Sequence, residues 1–342
     1  MRRKSNQGQP GLIYIEDAVM QIKTELLRIY VDDKLTNALD GKVVWVPQKS
    51  LWFFSHLAVA LIGGAITLSL TALAVFLITT AITLCLGHSL GMHRRLIHNS
   101  YECPKWLEYL FIHFGVLVGM AGPFGMIRAH DLRDWAQRQS KCHSYLRHGE
   151  SFIKDGWWQL HCDLKLKHSP IFLPEERIKS DPILLFMEHT WMLQQLPLAI
   201  LLYLMGGFAW VIWGISVRIV VSVTGHWLIG YFAHNEGEID NEVLGAAVQG
   251  HNVKLCSYIT MGESWHNNHH AYPGSAILGL YDNQPDPGWW VLNALHNLGL
   301  VWNIVLPENL PARPNLYRRT FRAKGNFRQK VYKECKVLSL FQ

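Results

Sequence analysis

From Leu51 to Met92 the chain runs 42 residues without one Asp, Glu, Lys or Arg. As helix at ~1.5 Å per residue this stretch reaches roughly 63 Å, about twice the ~30 Å hydrocarbon thickness of a bilayer. A soluble core does not require such a run, which instead predicts a hairpin of two membrane spans, about 51–70 and 72–92. His189 to Asn235 repeats the pattern with Arg218 as the single charge and Gly206–Gly207 near the bend, predicting spans at 190–206 and 209–232. A lone charge at mid-bilayer costs at least ~2.5 kcal/mol, so Arg218 is expected to be buried and paired or solvated by protein.

The fold class expected is therefore an all-α integral membrane protein, four transmembrane helices in two hairpins with a helical cytoplasmic cap. Two hairpins put both chain ends and the segment from His93 to Glu188 on one side. Of 32 Lys plus Arg, only Arg218 lies outside those same-side segments, and the positive-inside rule assigns them to the cytoplasm. Residues 1–50 are expected to form a cytoplasmic segment, since Met-Arg-Arg-Lys leads into polar residues rather than a signal-peptide core. Within it Leu12, Ile15, Val19, Ile22, Leu26 and Ile29 mark one stripe of an amphipathic helix. Residues 51–307 would form the membrane domain, and 308–342 a basic, peripheral tail. Leu107 to Pro123 is apolar but short, with His113 inside, and reads as a re-entrant or interfacial helix.

With 49% hydrophobic and 17% charged residues, an intrinsically disordered chain is excluded. Six scattered cysteines without a Cys-x-x-Cys pair argue against a zinc ribbon, an iron–sulfur cluster or a disulfide framework. The net charge of +6 suits anionic lipid, a phosphorylated headgroup or an acidic protein, or reflects the positive-inside bias alone, and no nucleic-acid partner is expected.

Eighteen histidines fall mostly in or beside the cytoplasmic segments. In His266-Asn267-Asn268-His269-His270 the imidazoles stand at i, i+3 and i+4, one helix face on which three can converge on a metal. His93 and His98 stand at i, i+5, unsuited to one face of a straight α-helix, and could share a metal if the helix ends or kinks at the membrane exit marked by Arg94 and Arg95. His226 and His234 look toward the same level from the fourth span. No His-Glu-x-x-His supports a zinc protease, and only one Glu-x-x-His occurs where a carboxylate di-iron bundle needs two. Bis-histidine haem would leave the cytoplasmic clusters unexplained.

Gly-Met-His93-Arg-Arg-Leu-Ile-His98, His234 followed by Gly237, and Gly262-Glu263-Ser264-Trp265-His266-Asn-Asn-His269-His270 with Tyr272-Pro273 resemble the membrane fatty-acyl desaturases, acyl-CoA Δ9 branch. The tail from Asp286-Pro-Gly-Trp-Trp290 to Leu306-Pro307 is similar too. The resemblance covers roughly Leu51 to Pro307. It implies an O2-dependent oxidoreductase with two non-haem irons (Fe) on a cytoplasmic cap, removing two hydrogens from a fatty-acyl chain in an apolar tunnel. Carried over by position, the ligands would be His93, His98, His130, His234, His266, His269 and His270. Membrane lipids and a separate electron donor, of ferredoxin or cytochrome b5 type, are the implied partners.

The second box departs from His-x-x-His-His, reading His130-Asp131-Leu132-Arg133-Asp134, and Gly230 stands where the family has Asn. Asp134, one helical turn from His130, is expected to bind iron with it, and His143 or His226 to complete the shell, with His148 and His88 as further spare groups. Arg133 would repel iron unless Asp131 or Asp134 pairs with it. The same scaffold also fits a fatty-acyl hydroxylase, or a lipid-binding protein that has lost an iron.

Overall fold

The computed structural model describes residues 27–32 and 35–319. The amphipathic stripe expected from Leu12 onward lies outside them, apart from Ile29, which pairs in a two-residue strand with Phe172. The described residues are mostly helical, with three two-stranded antiparallel sheets among them that the all-α expectation did not include. One of them, Gly41–Trp45 against Cys162–Leu166, carries the chain to the first membrane helix.

Among the described residues three helices are long and apolar enough to cross a membrane: Pro47–Ile66, Leu70–Ile97 and Gln195–Asn235. Proline at its first positions opens the first helix, and the Ser69 hydroxyl accepts from Ala72 N to start the second. The third is broken at Gly207, whose φ of +68° belongs to the left-handed region that favours glycine. On either side of that break the chain folds back on itself, and a Cβ at Gly214 would lie 2.5 Å from the Leu202 side chain. Leu70 at 87% and Leu204 at 76% exposure leave apolar surface on these helices of the kind that suits contact with lipid.

From Thr83 to Ile97 the second helix widens into a π-helix, closed by His98 N–H donating to His93 O at 3.0 Å. Its Gly87 and Gly91 let the helix Lys105–Leu117 pack backbone to backbone, since a Cβ at Gly91 would fall 2.5 Å from Phe111 C and O. That helix, read from sequence as re-entrant or interfacial, ends against Arg218. The fully buried guanidinium donates to Leu117 O, to Gly214 O at 2.6 Å and to Gln195 Oε1 at 2.6 Å, while Gln195 Nε2 donates to Leu117 O at 3.0 Å. The cation is thus solvated by a helix C-terminus, the negative end of its dipole, as anticipated for a charge at this depth.

Arg94 and Arg95, at the end of the helix Leu70–Ile97, are paired inside the protein rather than turned to solvent. Arg94 is buried against Glu263 and Asp286, and Arg95 lies 3.1 Å from Glu108. The five described cysteines are free.

Candidate metal centre

The π-helical turn resolves the awkward i, i+5 spacing, because its hydrogen bonds join residues five apart and bring such positions round to one face. The His93 and His98 rings lie 4.8 Å apart. His130, from the helix Pro123–Arg138, and His269, from the helix His266–Ala271, close on them, and one ring nitrogen from each of the four lies within 4.8 Å of the others. Carboxylates stand behind two of these rings. Glu263 Oε2 is 2.6 Å from His93 Nδ1, and Asp131 Oδ1 is 3.2 Å from His130 Nδ1. Each carboxylate is itself held by a buried arginine: Arg94 reaches Glu263 at 3.3 Å, and Arg28 reaches Asp131 at 3.1 Å. Burial alone would raise the Glu263 carboxyl, but the neighbouring His93 and Arg94 outweigh it and hold it well below the usual carboxylate range.

A second group joins His234, His266 and His270. His234 Nδ1 donates to Gly230 O at 2.6 Å, which leaves Nε2 with a lone pair facing His266 Nε2 at 3.1 Å. His266 Nε2 lies 3.0 Å from His270 Nε2. Burial pushes the His270 imidazole down to about 4, and His98, His266 and His269 well below their ordinary value. These four are therefore neutral near pH 7, the form that binds metal.

The short helix His266–Ala271 exists because its flanks are tied. Asn252 Oδ1 accepts from the backbone N–H of Asn267 and Asn268, at 3.0 and 3.3 Å, filling the N-cap role. Between the histidines, the Asn267 side chain donates to Asn241 O and Gly250 O, and that of Asn268 to Leu278 O and Gln284 Oε1. At the other end Arg313 donates to His270 O at 2.7 Å. The described part of the tail, expected to be peripheral, thus braces the centre.

Donor chemistry and geometry fit a metal. Ring nitrogens 3.0 to 3.1 Å apart match two ligands about 2.1 Å from one ion at roughly a right angle. The buried atoms His98 Nε2 and His269 Nδ1 have no hydrogen-bond partner among the described residues. Unpaired nitrogens of this kind are costly unless something binds them.

Three residues expected as ligands lie outside both groups. Asp134 accepts from Arg138 at 2.6 Å, although its charge still acts on His130 and His270. His143 uses Nδ1 to accept from Tyr145 N at the start of the turn Ser144–Arg147. His226 packs against His88, ring centroids 4.8 Å apart, rather than against His234. Arg133 is not neutralised by Asp131 or Asp134. It donates to Leu146 O, to His148 Nε2 at 2.7 Å and to Gln159 Oε1 at 2.8 Å, and His148 in turn holds Asp155 at 2.9 Å. The His148 ring fills the space beside Gly230, where a Cβ would come within 3.2 Å of its Nε2, and stacks on His234 at 5.3 Å.

Sequence reasoning did not assign roles to Glu263 and Asp286 behind the first group, or to Gln137 beside the second. Position was the only available signal, Glu263 being three residues before His266 and Gln137 two helical turns after His130.

Fold and site together define a multi-pass membrane protein whose described residues gather seven histidines into two groups able to hold metal. No profile of a known protein family matches the chain. Individual relatives do. The sn-1 stearoyl-lipid 9-desaturase of Anabaena variabilis is 32% identical over 244 residues, 70% of this chain and 86% of that protein. The sn-1 stearoyl-lipid 9-desaturase of Synechocystis sp. is 31% identical over 291 residues, covering 83% and 90%. The chloroplastic palmitoyl-monogalactosyldiacylglycerol delta-7 desaturase of Arabidopsis thaliana is 30% identical over 294 residues, covering 82% and 76%. The chain belongs to the membrane fatty acid desaturases and is an oxidoreductase of fatty-acyl chains.

Proposed function

We propose that this protein desaturates a fatty-acyl chain, carried as an acyl lipid or as acyl-CoA, with two non-haem irons held by His93, His98, His130 and His269 in one group and by His234, His266 and His270 in the other. The observation that carries this reading is the convergence of seven imidazoles, from four separate helices, into two adjacent clusters. Iron bound there supplies dioxygen activation and the oxidising power to remove two hydrogens from the acyl chain.

The chain's own residues set up that chemistry. Glu263 and Asp131 fix the ring orientation of His93 and His130 through their Nδ1 atoms, which leaves Nε2 of each ring for the metal. Asp286 locks Arg94 at 2.9 Å while accepting from the backbone N–H of Leu278, Gly279 and Trp289, so the arginine behind Glu263 cannot swing away. His93, His269 and His234 are buried and the other four histidines half-buried, which limits the access of water to the site.

The reading includes four spans, with the cap on the cytoplasmic side and residues 51–307 as the membrane domain between a cytoplasmic segment 1–50 and a basic tail. The break at Gly207 supports it, since Gln195–Asn235 at 41 residues is about twice the length one span needs. Electrons come from a separate donor of ferredoxin or cytochrome b5 type. The test is turnover of acyl-lipid and acyl-CoA substrates by the purified protein with each donor. Double-bond formation that disappears in His266→Ala supports the reading, and a hydroxylated product alone would replace it.

A further inference from the structure

Arg133, Asp134 and Gln137 follow His130 by three, four and seven residues, positions that share its helix face and turn toward the second group. Two of the three are drawn off, Arg133 to Leu146 O, His148 and Gln159, and Asp134 to Arg138. Gln137 is not. Its side chain, in a residue 2% exposed, lies with Nε2 3.0 Å and Oε1 3.3 Å from His234 Nε2.

The amide is oriented from behind, because Gln137 Nε2 also donates to Leu146 O at 2.7 Å. Leu146 O accepts from Arg133 at 3.0 Å as well, so the carbonyl that turns the arginine away also anchors the NH2 end of the glutamine. The oxygen end is left 3.3 Å from His234 Nε2, one of the three imidazoles of the second group. His234 Nε2 carries a lone pair, since its Nδ1 proton goes to Gly230 O. Gln137 Nε2, 3.0 Å away, donates its second N–H to that lone pair, and Oε1 stands beside it at 3.3 Å as a further acceptor that a cation bound at His234 Nε2 would draw to itself.

We propose that Gln137 is the fourth protein ligand of the second group, its amide oxygen taking the part that the altered second box no longer gives to an imidazole. The inference rests on the reading that both groups hold metal. A neutral oxygen donor binds a divalent ion less tightly than an imidazole, so the second group becomes the weaker of two sites: four imidazoles in one, three imidazoles and an amide in the other.

The test is metal uptake by the full-length protein in detergent, stripped of metal and titrated anaerobically with Fe(II), and separately with Co(II), whose absorption reports its ligands. The wild type should bind in two steps, the weaker lost in His270→Ala and the tighter lost in His98→Ala. Gln137→Leu should weaken the weaker step by about tenfold or more and leave the tighter step within about twofold. Gln137→Glu should tighten the weaker step and shift its Co(II) spectrum. Asp134→Asn should leave both steps in place. A Gln137→Leu protein that keeps the weaker step within about twofold of wild type overturns the proposal, as does loss of that step in Asp134→Asn. If Gln137→Leu loses both steps through misfolding, Gln137→Glu decides, and unchanged or weaker binding there overturns it. A wild type that takes up no metal removes the two-metal reading and this inference together.

Discussion

Glu263 Oε2 stands 2.6 Å from His93 Nδ1, while the other oxygen of the same carboxylate accepts from Ser89 at 2.6 Å and from Arg94 at 3.3 Å. A single, largely buried acid thereby joins the π-helical stretch Thr83–Ile97 to the segment that leads into the helix His266–Ala271. Glu263→Gln keeps the shape and removes the charge. Iron affinity of the first group should fall about 10- to 100-fold, with the second group retained, as measured by metal titration. Equal loss from both groups would point to a general packing role instead.

Arg218 has no acidic partner among the described residues, and its solvation by Leu117 O, Gly214 O and Gln195 is a packing device at the end of the helix Lys105–Leu117. Arg218→Leu removes the guanidinium donors from Gly214 O and Gln195 Oε1, while Leu117 O keeps Gln195 Nε2, at a cost of about 1–3 kcal/mol for each buried group left unsatisfied. Thermal melting in detergent should show a lower midpoint and reduced folded yield. Unchanged yield and activity would remove this role for Arg218.

Gly91 is required by a backbone contact. Because the atoms a Cβ would meet are Phe111 C and O, no side-chain rotation relieves the clash. Gly91→Leu should destabilise by about 1–3 kcal/mol or more. A melting midpoint equal to wild type would show that the two helices separate easily.

Burial and the nearby Arg133 push His148 from 6.5 down to about 4. A histidine whose folded pKa is depressed binds fewer protons folded than unfolded, so stability is fully present above about 6.5 and declines as pH falls toward about 4. Metal-free protein should melt at progressively lower temperature across that window, and His148→Gln should flatten the slope. Identical slopes in the two proteins would mean that His148 titrates normally.

Legibility from sequence followed the regularity of the local backbone. His266, His269 and His270 could be placed because i, i+3 and i+4 share a face in an ordinary α-helix, and the local chain is such a helix. His93 and His98 could be named but not oriented, since their convergence needs a π-helix that no periodicity in the sequence announces. The second box misled for a different reason. Asp134 stands at the right spacing for a ligand, but Arg138 one turn later offers it a competing ion pair. Arg133 looked like a charge in need of a carboxylate, whereas Leu146 O, Gln159 and His148, none of them acidic, receive it. Those partners lie 13 to 26 residues away, beyond any local pattern. Apolar length marked the membrane helices, and the lone Arg218 within them was interpretable because an isolated charge in lipid has few tolerable environments.

The two-group metal centre is tested most directly by iron content of the reconstituted protein. Wild type should carry roughly two irons per chain, falling to about one in His98→Ala and in His270→Ala, each variant keeping the iron of the other group. Wild type that binds no iron after anaerobic reconstitution, or variants that both keep two, would contradict it.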